Sequence, residues 1–145
     1  MTRIERLNPV VKHNDDLQQK ALQSVADSRL ILDKEQSQLE QLISYRQDYQ
    51  TQQSYSHEVC SSFQLQEYSR FLAQLDNTIE GQTSVVATRQ KELDIKRKHW
   101  NNSRIEAAAL HKVIEHLNKA EQQEMSRAEQ KLLDEFSQRR FVRKG

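Results

Sequence analysis

Apolar residues in the second half of the chain recur with a strict period. Leu72, Ile79, Val86, Leu93, Trp100, Ala107 and Ile114 stand seven residues apart, and Leu75, Leu110 and Leu117 fill positions between them. A sustained heptad of this kind predicts a helix in a left-handed coiled coil. Its alternate core positions hold Gln82, Arg89, Lys96 and Ser103. Long polar side chains extend past the edge of a two-stranded seam, whereas a larger bundle would bury them. In the first half, Leu22, Val25, Leu32, Leu39 and Ile43 keep to steps of three, four and seven, which places them on one face of another helix. Between the two helices, the stretch 51–58 loses this period and gains Ser and Gln, as a turn does. Ser61-Ser62-Phe63-Gln64 then offers an N-cap Ser with Gln three residues on, so the second helix starts near Ser61 or Ser62. At the other end, Asn8-Pro9 reads as an N-cap followed by a first-turn proline, and Asn14-Asp15-Asp16 as a second candidate start. The first helix is expected to begin between Asn8 and Asp15.

These signals predict a single all-α domain over 1–145, a long antiparallel two-helix coiled coil with the second helix longer than the first. Helix one is expected at about 10–52, the turn at about 53–61 and helix two at about 62–140. A short connection makes the helices antiparallel. Setting Tyr49 opposite Phe71 puts the start of the first helix near Leu110 to Ile114 and brings Trp100 to the level of Ala21. The second helix then runs on alone towards Phe141. Gly81 falls inside it, at a cost of about 1 kcal/mol relative to Ala.

Composition narrows the picture further. The 145 residues include only 2 Gly and 1 Pro, too few for the many corners of a sheet protein. Hydrophobic residues make up 35% and charged ones 30%, and the mean hydropathy is −0.94, which leaves a narrow apolar seam rather than a layered core. The abundant Glu, Gln, Lys, Arg, Leu and Ala favour helix over disorder. A net charge of +1 supplies no bulk attraction to nucleic acid or to a membrane surface, so no nucleic-acid partner is expected. The lone Cys60 fits a reducing compartment, and neither a membrane span nor a signal peptide is apparent, so a cytoplasmic location is expected. There is no Gly-rich phosphate loop, HExxH or GxSxG motif, so the chain is expected not to be an enzyme, with no catalytic residues, cofactor or metal. His111 and His116 are five apart and diverge around a helix, where a metal pair needs three or four. Cys60 has no Cys partner nearby and reads as a surface thiol.

Two features point to protein partners. Gln38, Leu42, Tyr45 and Tyr49 form a stripe beside the first seam, and Tyr68, Phe71, Leu75, Thr78 and Gln82 form one beside the second, both near the turn. A two-stranded coil has little interior for such residues, and exposed aromatic patches mark interfaces. At the C-terminus, Arg139, Arg140, Arg143 and Lys144 put four cations in six residues. That exceeds what a helix end needs and suits an acidic protein groove.

The segments LEQLISYRQDY (39–49), QEYSRFLAQLDNTIE (66–80) and LLDEFSQRRFVRK (132–144) resemble the FliJ family of flagellar export proteins, and the likeness covers nearly the whole chain. The resemblance implies a small cytoplasmic protein of the flagellar type III secretion apparatus, built like the central stalk of a rotary ATPase. Such a protein sits in the pore of the hexameric export ATPase and promotes its assembly and activity. It also contacts the cytoplasmic domain of the export gate membrane protein, handles export chaperones, and is held peripherally on the cytoplasmic side of the membrane through these partners. By the same resemblance, Gln38, Leu42, Tyr45, Tyr49, Phe71 and Leu75 form the gate-contacting surface. Thr78 and Gln82 match more loosely, Gln82 replacing the His of close relatives. The ATPase-facing part is the helix over 17–29 with Arg139, Arg140, Arg143 and Lys144. Two other readings fit a coiled coil of this size: the stalk of a virulence-type secretion system, and a generic scaffold or nucleic-acid-binding protein.

Overall fold

A computed structural model describes residues 3–55 and 61–144, with side chains over 3–53 and 61–141. The described residues form two helices, α1 (Arg3–Tyr55) and α2 (Ser62–Lys144), of 53 and 83 residues. The helices pack against each other and the second is the longer, as the heptad pattern predicts. Their contacts divide into two compact units, one over 20–100 and one that joins 1–19 to 101–145.

In the 20–100 unit, α1 buries a heptad stripe of its own. Val25, Leu32, Leu39 and Arg46 take one core position, and Ala21, Ser28, Glu35, Leu42 and Tyr49 the other; all are buried or half-buried. On α2 the matching positions are Leu72, Ile79, Val86, Leu93 and Trp100, with Tyr68, Leu75, Gln82 and Arg89 between them. The chain directions are antiparallel, since Tyr49 meets Phe71 while Glu35 meets Gln82. Leu93 is the most deeply placed side chain, at 1% exposure. Burying a Leu is worth about 2 kcal/mol, so a handful of such residues carries the seam. Lys96, the remaining polar core position on α2, is exposed, its charge kept in water. Trp100 is half-buried at the level of Ala21, which is itself buried. Gly81 is helical, with open space where a Cβ would stand.

In the second unit, Ile4, Leu7, Val11, Asn14 and Gln18 of α1 are half-buried, and on α2 Ala107 is buried while Ser103, Leu110, Ile114, Leu117 and Glu121 are half-buried. Asp15 accepts a hydrogen bond from the His111 ring at 3.1 Å, in the register expected from the turn. From residue 122 to 141 every α2 side chain is exposed.

Five boundaries and seam assignments differ from expectation. The first helix starts at Arg3, not between Asn8 and Asp15, so Pro9 and the Asn14-Asp15-Asp16 run lie within it. Ile4, Leu7 and Val11 extend the heptad through Pro9, which lies on the exposed side. Pro9 supplies no N–H to the helix ladder, and on the exposed side its ring clears the seam. At its other end α1 runs to Tyr55, so residues 53–55 of the expected turn are helical, and α2 continues past 140 to Lys144. Thr51 returns a 2.9 Å hydrogen bond to the Gln47 carbonyl and Gln53 is half-buried, which keeps the last turns of α1 on the heptad. The rest of the turn, with Cys60, lies outside the described residues. Leu22 and Ile43 are each 41% exposed, although the apolar steps put them in the seam. The true seam positions are their neighbours Ala21 and Leu42. Finally, Leu42, Tyr49, Tyr68 and Leu75 are seam residues rather than members of a stripe beside it.

Candidate protein-interaction surfaces

Next to the connection between the helices, four rings interlock. Tyr49 lies 4.6 Å from Phe71, tilted by 55°, and stacks on Tyr68 at 5.2 Å. Tyr45 meets the Phe71 ring edge-on at 6.2 Å. Offset and edge-to-face contacts of this kind favour the ring quadrupoles. The heptad explains the division of labour. Tyr49 and Tyr68 occupy core positions and Phe71 precedes one, so all three are half-buried. Tyr45 lies outside the core positions and is 53% exposed.

A charged clasp lies beside the rings. Arg46, on a core position of α1, reaches across to Asp76 with Nε donating to Oδ1 and Nη2 to Oδ2, and donates a third bond to Gln50. The hydrogen bond to the Asp76 carboxylate holds the Arg46 guanidinium above its ordinary pKa. Farther from the connection, Gln82 donates to both the carbonyl and the carboxylate of Glu35, at 3.0 and 2.6 Å.

The eight predicted gate-contacting residues therefore fall into three groups. Leu75 is buried at 8% exposure, and Leu42, Tyr49 and Phe71 are half-buried in or beside the seam. Gln82 is half-buried and turned onto Glu35. Gln38, Tyr45 and Thr78 are exposed, with the Thr78 hydroxyl bonded back to the Gln74 carbonyl. Tyr45, Tyr49 and Phe71 come together as one patch, and Tyr68 joins them. The Arg46–Asp76 clasp is a member that apolar periodicity does not reveal. Its signal was an arginine on a heptad line.

The second candidate surface belongs to the other unit. Arg139 and Arg140 are exposed on α2, and the side chains of Arg143 and Lys144 lie outside the described set. The same helix exposes Met125, Leu132, Leu133 and Phe136 at 61–66%, an apolar set that the lapse of the heptad after Ile114 concealed. Of the stretch 17–29, Leu17 in this unit is exposed; residues 20–29 belong to the 20–100 unit, where Ala21 and Ser28 are buried and Leu22 is exposed.

Among the described residues no group of three or more His, Cys, Asp or Glu is placed to hold a metal ion, and no helix is long and apolar enough to cross a membrane. A hollow of about 420 Å³ at Lys112, Val113, Glu115, His116 and Lys119 is lined by one helix only, so it has no facing wall.

No curated protein and no solved structure matches the chain significantly. The family model described as flagellar FliJ protein matches residues 3–145. Two packed helices, an aromatic cluster at 45–71 and a match over essentially the whole length converge on one assignment: the chain belongs to the FliJ family, whose place is in flagellar type III protein export.

Proposed function

We propose that the chain is a stalk-like adaptor that joins two parts of the export machinery. The 20–100 unit presents its aromatic patch to the cytoplasmic domain of the export gate. Arg139, Arg140, Arg143 and Lys144 of the unit bearing both termini, together with the helix over 17–29, engage the hexameric export ATPase and promote ring assembly and activity. Export chaperones are further cargo-side partners. The chain performs no catalysis and binds no cofactor. It works in the cytoplasm and reaches the membrane peripherally, through these partners.

The observation that carries this reading is Tyr45. It is a large aromatic, 53% exposed, with its ring edge-on to the packed Phe71 ring. An exposed aromatic at the rim of a packed cluster suits an interface hot spot. Gln38 and Thr78 are exposed polar members of the same predicted set. Leu42, Tyr49, Phe71 and Leu75 support it from beneath.

The test is a titration of the gate's cytoplasmic domain against Tyr45→Ala, with a thermal melt of the same variant. Affinity is expected to fall about tenfold, while melting moves by no more than about 0.5 kcal/mol. ATPase stimulation is expected to persist. Unchanged gate affinity would remove Tyr45 from the interface and with it the assignment of this patch to the gate.

A further inference from the structure

Past Leu117 the seam of α2 does not stop; it changes period. Leu110, Ile114, Leu117 and the half-buried Glu121 are followed by Met125, Ala128, Leu132 and Phe136 at steps of three and four. Two consecutive steps of four replace the heptad with a spacing near 3.67, which keeps these residues on one face of a straight helix. The first four are covered by α1 to the half-buried level, and the rest have nothing over them: Met125 is 65% exposed, Leu132 66% and Phe136 65%. The bare stripe is thus the direct continuation of a packed interface.

Its charges are ordered along the helix. The part over 121–135 holds Glu121, Glu124, Glu129, Asp134 and Glu135 against Arg127 and Lys131 and is net acidic, and Arg139, Arg140, Arg143 and Lys144 stand at the end. A second helix laid parallel would bring the four cations together. Laid antiparallel, it brings them against the acids.

We infer that this stripe is covered by the same stripe of a second copy of the chain, antiparallel, about a twofold axis at Leu132 and Leu133. A twofold turns one helix end over end, so each flank of the stripe faces the same flank of its copy. On one flank Glu129 meets Arg140 of the second copy, and on the other Lys131 meets Glu135. Each pair occurs twice by symmetry. In the centre, Phe136 of one copy faces the small Ala128 of the other, and Leu132 faces itself, so large residues meet small ones as packing requires. About six helical turns take part on each chain, which belongs to the smaller class of specific interfaces, so association depends on concentration. The pairing covers Arg139 and Arg140 and would compete with any partner that uses them. It does not itself depend on what that partner is.

The experiment is sedimentation equilibrium of the full chain from micromolar to near-millimolar concentration, with circular dichroism to verify that each variant stays helical. The mass is expected to rise from the 17.1 kDa of one chain towards twice that value. Arg140→Glu sets like charges against Glu129 at two places and is expected to weaken association about tenfold or more. Adding Glu129→Arg to Arg140→Glu restores the opposite charges and is expected to recover the wild-type constant within about threefold. Residues 129 and 140 are three helical turns apart in one chain, so only contact between chains explains recovery. Leu132→Ser is expected to abolish the dimer. A single 17.1 kDa species at all concentrations overturns the inference. A dimer indifferent to Arg140→Glu, or one that the paired charge swap fails to restore, overturns it equally.

Discussion

Polar residues on and beside the core positions distinguish this seam from a plain Leu zipper. Glu35 accepts from Gln82, Arg46 donates to Asp76, and Asp15 accepts from His111. Each is a cross-helix pair that a shift of register would break, leaving polar groups half-buried without partners. Being partly exposed, such pairs add little stability, on the order of 0–1 kcal/mol each, and their effect is mainly to specify alignment. Stability itself lies with the few deep apolar residues. Leu93→Ala, at 1% exposure, is expected to cost about 2–5 kcal/mol in urea or thermal unfolding. Gly81→Ala is expected to act oppositely. Gly81 is helical, its added Cβ meets nothing within 4 Å, and no described glycine has a positive φ. A gain of about 1 kcal/mol should appear as a raised melting temperature.

At the scale of the helices, the two starts follow different logic. The start of α2 is chemical. The Ser61 N–H donates to Gln64 Oε1 and the Gln64 N–H donates to Ser61 Oγ, both at 3.2 Å, which closes a reciprocal capping box. Ser61→Ala is expected to cost about 1 kcal/mol, read by thermal melting, with earlier fraying at Phe63 and Leu65. The start of α1 is supported by packing. Ile4 and Leu7 are half-buried on the heptad and hold about two turns ahead of the proline. Because Pro9 breaks a backbone hydrogen bond there, Pro9→Ala is expected to raise amide-exchange protection over residues 4–8 without altering the 20–100 unit.

At the scale of the whole molecule, the two contact units carry different chemistry. Residues 20–100 hold the ring cluster and the clasp; 1–19 with 101–145 hold the His111–Asp15 pair and the exposed basic and apolar stretch. Changes in one are expected to leave the other's partner untouched. Replacing Arg139, Arg140, Arg143 and Lys144 together by Ala should weaken ATPase binding and stimulation, chiefly through slower, salt-sensitive encounter. Melting should barely move, since Arg139 and Arg140 are exposed and exposed substitutions count for little. Stimulation that survives intact at low salt would remove this stretch from the ATPase surface.

Local chemistry determined much of this in advance. The seven-residue period from Leu72 to Ile114, the capping box at Ser61 and the scarcity of Gly and Pro required two helices, one longer, in a two-stranded seam. Periodicity and side-chain capping act within a few residues, so they are legible along the chain. The seam of α1 was not. Half its core positions are polar or small, among them Ala21, Ser28, Glu35 and Arg46, and an apolar count slips by one onto Leu22 and Ile43. What makes those positions core is the partner across the seam: Gln82 for Glu35, Asp76 for Arg46, the level of Trp100 for Ala21. The aromatic stripe was legible as composition. Which rings pack and which remain for a partner was decided by pairing, because Tyr45 and Tyr49 differ only in the angle at which they face α2. One turn of helix separates a ring stacked on Tyr68 from one left 53% exposed. That difference is a property of two helices in register, and neither helix contains it alone.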